Sequence, residues 1–423
     1  MTKQKIKDLK AQKGALSRQI GKSRKAGEDI QHLLEQMQFI SAELKSLSAS
    51  NKKPATAEKV ATTSLPQHFT QVKQAAPNAR TIKIQLANSP AWKKPWNEFV
   101  DKQAHACIYH RYEFKDVIEQ SFSHRCLYLV ALDENNSIAG VLPCTHTQSK
   151  LFGSYITSIP FFNYGGPLAI NESIELKLIE SINEKAQILG AKHVEIRETI
   201  PRPSYPQRND KVSMLLSLPN SSEQLWKDLG TKLRAQVKKG QRNSFTFKTG
   251  STALLDDFYS VFSTNMRDLG TPVYAKSFFR NLLKQPLKST ICILYLEKKP
   301  VSCAFLLGHG DTLEIPWAST LRRANPYNAN MLLYWEVLSF AISEGYSFFD
   351  FGRSSKEAST YKFKRQWGAQ PAQLYWHYCL PSGSDLPQLN PNNPKYELAI
   401  KVWQKLPTAV TNIIGPFIAK DLP

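Results

Sequence analysis

"NMLLYWEVLSFAISEGYSFFDFGRSS", residues 330 to 355, decides how the chain folds. From about Asn330 to Glu344 its apolar residues recur at helical spacing, with Leu332, Leu333, Val337, Leu338 and Ala341 forming the buried side. Gly345 follows, the residue type that closes a helix in the left-handed conformation. "YSFFDFG" then reads as a buried strand that delivers Asp350 and Arg353 at its C-terminal end, where open α/β sheets place their ligands. Upstream, "DTLEIPWAST" (311–320) reads as the strand before the helix. The stretch is therefore one strand–helix–strand unit of an α/β protein.

The same layout occurs twice. "CLYLVALDENNSIAGVLPC" (126–144) and "STICILYLEKKPVSCAFLLG" (289–308) each read as strand, polar turn and strand, the second turn carrying Lys298 and Lys299. Each is followed by an apolar-periodic helix, a glycine and another strand, "GAKHVEIRE" from Gly190 and "GYSFFDFGR" from Gly345. The echoes lie roughly 155–165 residues apart, the distance of a duplicated domain rather than of a short repeat. The expected architecture is two tandem α/β (α+β) domains on strongly bent mixed sheets, at 81–230 and 231–380, with a C-terminal tail at 381–423.

Ahead of them, Ile30, Leu33, Met37, Ile40, Leu44 and Leu47 are spaced 3, 4, 3, 4, 3, and Ile6, Leu9, Leu16 and Ile20 keep that register with Lys13 interrupting it. Gly27 separates the two runs, so residues 1–48 are expected to form an antiparallel coiled-coil hairpin with arms roughly 30 Å long. Its first arm carries nine lysines and arginines, Arg18, Lys22, Arg24 and Lys25 among them, against the single acid Asp8. A dimerisation coil and a nucleic-acid-binding arm both fit this pattern. Residues 49–80, rich in Ala, Thr, Ser, Lys and Pro, read as a flexible linker.

The 423-residue chain carries 55 Lys and Arg against 35 Asp and Glu, a formal charge of +20, of which residues 1–50 supply only +5. That field favours polyanionic partners: RNA, anionic lipid or phosphorylated substrates. Its six cysteines stand singly, mostly in apolar runs, which fits a reducing compartment and gives no metal set. Neither an apolar signal segment nor an 18-residue apolar run is visible, so a cytoplasmic protein is expected. The tail "LPTAVTNIIGPFIAKDLP" (406–423) has the length for peripheral contact at the inner membrane face, although packing against the body is the simpler expectation.

Two resemblances extend this reading. "KGALSRQIGKSRKAGEDIQHLLEQMQFISAELKSL" (13–47) resembles the N-terminal arm of bacterial seryl-tRNA synthetases, which in that family grips the extra stem of its tRNA. "HRYEFKDVIEQSF" (110–122), "PFFNYGGPLA" (160–169), "NMRDLGTPVYAKSFF" (265–279), "EIPWAST" (314–320) and "FDFGRSS…TYKFKRQWG" (349–368) resemble the FemAB-related acyltransferases. The similarity is greatest to the branch associated with exosortase (XrtA/PEP-CTERM) systems. This resemblance implies two GNAT-like domains and transfer of an aminoacyl group from charged tRNA to an amine of a cell-envelope precursor. The acceptor in that branch is alternatively an exopolysaccharide or lipid-linked sugar.

No tightly bound cofactor is expected, the donor co-substrate being aminoacyl-tRNA or, alternatively, acyl-CoA. The glycine loop that cradles the CoA pyrophosphate has no clean instance here. A non-catalytic tRNA- or membrane-binding protein is the third alternative, and oligomeric state stays open. No Ser/His/Asp set is spaced for a covalent route. Asp350 or Glu314 is expected to deprotonate or orient the incoming ammonium, and Tyr334 to donate to the oxyanion. Arg353, Lys362 and Lys364 are expected to neutralise phosphate, while Tyr361 and Trp367 shape the pocket. Asn265, Arg267 and Asp268 form a polar cluster, and Arg111, Tyr112, Asn163 and Tyr164 are expected on the acceptor side. Each of these also fits a structural role, Asp350 as a buried hydrogen-bond acceptor above all. His309, in the turn "GHGD", reads as a surface residue.

Overall fold

The computed structural model describes residues 65–69, 81–150, 152–387 and 394–422 and, between 8 and 43, only helical positions. The chain divides into two compact units, Met1–Thr63 and Ser64–Pro423. In the first, Leu9, Leu16 and Leu33 are buried and Phe39 is exposed. The arm residues Arg18, Lys22, Arg24 and Lys25 lie outside the described residues.

The second unit carries ten strands in its first half: β1 (Lys83–Leu86), β2 (Arg125–Cys126), β3 (Leu129–Leu132), β4 (Ile138–Leu142), β5 (Cys144–Ser149), β6 (Gly153–Ser158), β7 (Leu168–Ala169), β8 (Val194–Glu198), β9 (Gln207–Arg208) and β10 (Lys211–Ser217). Seven follow: β11 (Phe245–Gly250), β12 (Lys288–Leu296), β13 (Lys299–His309), β14 (Thr312–Thr320), β15 (Phe348–Ser355), β16 (Gln370–Gln373) and β17 (Tyr375–Cys379). They build sheets ordered β1-β3-β4-β7, β2-β5-β6-β8-β17-β9 and β11-β12-β13-β14-β15-β10-β16.

The two halves share one plan. The hairpin β12–β13 corresponds to β3–β4, and the parallel pair β14–β15 to the parallel pair β6–β8. They differ at Pro143. It has no N–H to give a ladder, and it separates β4 from β5, sending them into different sheets. In the second half β13 runs unbroken for 11 residues and pairs with β12 and β14 at once.

Each half also lends the other a strand. Residues 211–217, grouped by sequence with the first domain, form β10 inside the second sheet, antiparallel to β15. Residues 375–379, grouped with the second domain, form β17, antiparallel to β8. Neither exchange leaves a local signature, because a strand looks the same whichever sheet accepts it. A common core follows, in which Phe162 of the first half and Phe278, Phe279 and Phe305 of the second pack edge-on to Trp317. Residues 65–69 also depart from the flexible reading. Gln67–Phe69 form a 3-10 turn, and the His68 and Phe69 rings lie 5.5 and 5.3 Å from that of Tyr164.

Because β10 belongs to the second sheet but is anchored in the first half, Met214→Ala should cost about 2–5 kcal/mol, the usual range for a buried methionine. Met214 is fully buried, so urea denaturation should show one transition, shifted as a whole, for both halves.

Candidate active site

The site forms where β14 and β15 stop running together. They pair in parallel only over Thr312↔Phe348, Leu313↔Phe349 and Glu314↔Asp350. Immediately beyond, β14 bulges against β13 across Ile315 and Pro316, and β15 bulges against β10 across Phe351 and Gly352. Gly352 has φ +73°, a backbone that favours glycine, and this turns its N–H back onto the Asp350 Oδ1, 2.7 Å away. Two bulges at one level part the strands and leave Glu314 and Asp350 as the last pair before the gap.

Both carboxylates are buried. Tyr109 Oη donates to Glu314 Oε2 at 2.6 Å, Asn163 Nδ2 to Oε1 at 3.3 Å, and Tyr164 Oη lies 3.4 Å from Oε2. Asp350 accepts from Tyr164 Oη at 2.9 Å and from Ser213 Oγ at 2.6 Å, besides Gly352 N–H. Burial, and then the neighbouring Asp350 charge, push the Glu314 carboxyl up to about 8. Burial raises Asp350 as well, against the pull of Ser213, Gly352, Tyr164 and the nearby Lys364 ammonium. The pair therefore shares a proton near neutral pH, held mainly on Glu314, because Asp350 has the stronger donors.

The equivalent position in the first half is built oppositely. There the last parallel pair is Thr157↔Glu195, and Glu195 is met by Arg197 Nε at 2.7 Å and Tyr378 Oη at 2.6 Å. Although burial works to raise it, the Arg197 charge and these hydrogen bonds hold Glu195 below its ordinary range. One half thus keeps a neutralised carboxylate and the other a frustrated pair, able to take up a proton.

Glu314 opens on a cleft of about 290 Å³, also lined by His68, Asp101, Tyr164, His309 and Asp311. His309 therefore faces the site rather than open solvent, and burial lowers its pKa. His68 covers the cleft, and burial takes its imidazole down to about 3, so it stays neutral. Cys107 lines the cleft 3.3 Å from His110 Nδ1, yet burial pushes its thiol well above the ordinary range. It offers no thiolate nucleophile.

The other residues singled out by sequence are distributed as follows. Asn163 and Tyr164 meet the carboxylates. Arg111 is tied to Asp101 at 2.6 Å and Glu113 at 3.3 Å, and Tyr112 Oη donates to Ala87 O at 2.7 Å; both brace the first half. Asn265 donates to Ser319 Oγ, and Arg267 bridges Asp268 and the Leu406 carbonyl, fastening the C-terminal segment. Tyr334 stacks on Phe351, with Phe363 and Trp367 around it, in the core behind the sheet. Residues Ser359–Gln366 form a helix. Within it Tyr361 is half-buried against that core and Lys362 points to solvent. Lys364 is buried, donates to the Gly352 and Arg353 carbonyls at 2.9 and 3.0 Å, and is lowered to about 8 by burial; this positions β15 rather than meeting solvent phosphate. Trp367 is buried in the same core. Arg353 is exposed, its guanidinium 4.9 Å from the Trp376 ring centroid, which Arg197 meets at 4.3 Å. Tyr109, Ser213 and His68 escaped the sequence reading, since nothing in their local pattern tells a site tyrosine, serine or histidine from a structural one.

Residues 228–365 match the family model described as acetyltransferase (GNAT) domain. The crystal structure of FemX superposes with a TM-score of 0.54 at 11% identity, covering 75% of this chain and 100% of FemX. L-PGS from Bacillus licheniformis gives 0.44 at 13% identity over 72% of this chain and 96% of its own. A tandem GNAT protein from the clavulanic acid biosynthesis pathway gives 0.46 at 10%, over 72% and 100%. No curated protein matches the sequence. By its matched domain the chain is an acyltransferase, and its architecture is that of tandem GNAT-like domains, the fold it shares with FemX.

The raised carboxyl makes a prediction that needs no substrate. Glu314 binds a proton more tightly folded than unfolded, so its stabilising contribution is complete below about pH 4.5 and is lost as pH rises through about 8. Denaturation midpoints should fall over that window, and Glu314→Gln should flatten the fall. Asp350→Asn, which removes the like charge, should move it to lower pH.

Proposed function

We propose that this acyltransferase moves an aminoacyl group from charged tRNA to an amine of a cell-envelope precursor, with Glu314 taking the proton that the attacking amine loses. The observation that carries the reading is the buried pair Glu314–Asp350, set at the parting of β14 and β15, with Glu314 reaching a cleft also lined by Asp101 and Asp311. Asp311 and Asp101, the latter shared with Arg111, suit an incoming ammonium, and the ionised form of a carboxyl raised to about 8, which becomes the major form above that pH, is a base matched to the amine's proton. The neutral amine attacks the ester carbonyl, and the C–O bond to the tRNA ribose breaks as the amide forms. The proton held on Glu314 returns to the departing oxygen. Aminoacyl esters are already activated, so alignment supplies much of the remaining barrier reduction. In turnover, Glu314→Gln should lower kcat by roughly 10²–10⁴-fold, the usual worth of a positioned base.

The tRNA donor is supported by the basic arm with its resemblance to the seryl-tRNA synthetase hairpin, and Arg18, Lys22, Arg24 and Lys25 are the arm's proposed cations for the tRNA phosphates. The FemAB-like motifs of the body and the +20 charge agree with it. Arg353, just past the β15 bulge, and Lys362, on the following helix, are both exposed and are the cations for a phosphate-bearing substrate. A precursor or lipid-linked sugar would meet such an enzyme at the inner membrane face.

The test compares the full chain with one beginning at Ser64, which keeps the turn packed on Tyr164. The full chain should co-purify with tRNA, enriched in serine species, and the shorter one should lose it. Log affinity should fall linearly with log salt. If neither chain retains RNA while acyl-CoA supports turnover, the donor is a thioester; if neither donor is used, a binding role replaces the enzymatic one.

A further inference from the structure

We infer that the C-terminal helices form a docking surface for an anionic membrane. The helix Thr408–Ala419 contains no charged residue, yet it is not a core helix. It turns its small residues inward, with Thr411, Gly415 and Ala419 buried against the body, and its large apolar residues outward. Ile413 is 67% exposed, Phe417 69% and Ile414 42%. Ala409, Ile413 and Phe417 follow one another at four-residue intervals, so the outward apolar side is a continuous stripe. The preceding helix, Pro394–Trp403, adds Leu398 and Val402, 70% and 53% exposed.

This orientation is fixed by the inner side. A Cβ on Gly415 would lie 2.9 Å from the Val273 backbone nitrogen, and one on Gly270 only 2.4 Å from Ile400, so both helices approach the body as closely as glycine permits. Arg267 Nη1 donates to the Leu406 carbonyl at 3.1 Å, His124 Nε2 contacts the Lys420 carbonyl at 2.7 Å, and Tyr155 Oη donates to the Asp421 carbonyl at 2.9 Å. The apolar stripe therefore cannot roll inward without breaking these contacts.

Large apolar residues held outward need an apolar partner, and the charge around them selects which. Residues 394–423 carry Lys395, Lys401, Lys405 and Lys420 against Glu397 and Asp421, and Glu397 is already paired with Lys401. A second copy of the chain would bring +20 against +20. A bilayer with anionic headgroups answers both features, taking the isoleucines and phenylalanine at the acyl boundary and the lysines at its surface. The inference stands on exposure and charge, whether or not the acceptor is lipid-linked.

Sedimentation of the full chain with phosphatidylglycerol–phosphatidylcholine vesicles tests it. The protein should partition onto these vesicles and far less onto phosphatidylcholine alone. The charge-preserving double variant Ile413→Ser, Phe417→Ser should lower partitioning by roughly ten-fold or more, since two large apolar side chains no longer transfer. Phe417→Trp should give an emission blue shift on vesicle addition. Wild-type failure to bind overturns the inference, as does equal binding by the double variant, which would leave general basic charge as the cause. A dimer that the double variant dissociates would also overturn it, making the stripe a self-association face.

Discussion

Two carboxylates held side by side in a water-poor interior repel each other, and most of the structure around Glu314 and Asp350 answers that repulsion. Parallel pairing of β14 with β15 forces them level. Bulges directly beyond end the pairing, so the charged pair sits at an opening and not within a continuous sheet. Donors arrive from far away in the chain: Tyr109, Asn163, Tyr164 and Ser213 all precede the second half. None of the four is a cation, so the pair is satisfied in hydrogen bonds without being neutralised. That distinction keeps one proton exchangeable near neutral pH.

The duplication makes the asymmetry legible. At the equivalent level of the first half, Thr157 replaces one carboxylate and Arg197 neutralises Glu195. The first half has thereby become the wall of the site. It contributes side chains to its neighbour's chemistry and receives β17 in exchange for β10. Because of that exchange and the aromatic packing around Trp317, the geometry at Glu314 depends on both halves being folded together. The turn at Gln67–Phe69 completes the enclosure by laying His68 and Phe69 against Tyr164.

The C-terminal helices obey a similar economy of contact. Glycine at 270 and 415 lets them sit close, and side chains of the body grip the carbonyls of Leu406, Lys420 and Asp421. A helix so firmly held can present large apolar groups outward without losing its place.

Periodicity and composition by themselves determined the α/β class, the duplicated plan, the helix before β15 and the strand that delivers Asp350. All of these are local, because a helix or a buried strand writes its spacing into consecutive residues. Glu314, Asp350, Asn163 and Tyr164 were also legible as candidates, since their motifs are short and contiguous. The exchange of β10 and β17 was not, because a strand's pattern records its burial but not its neighbour. Nor was the division of the tyrosines, in which Tyr109 faces the carboxylates while Tyr112, three residues on, braces Ala87. Lys364 read as a phosphate ligand, yet its ammonium turns inward onto two backbone carbonyls. Only tertiary contact decides which way such a side chain points. The raised proton affinity of Glu314 was likewise settled there, since it comes from burial beside a second carboxylate 36 positions away in the chain.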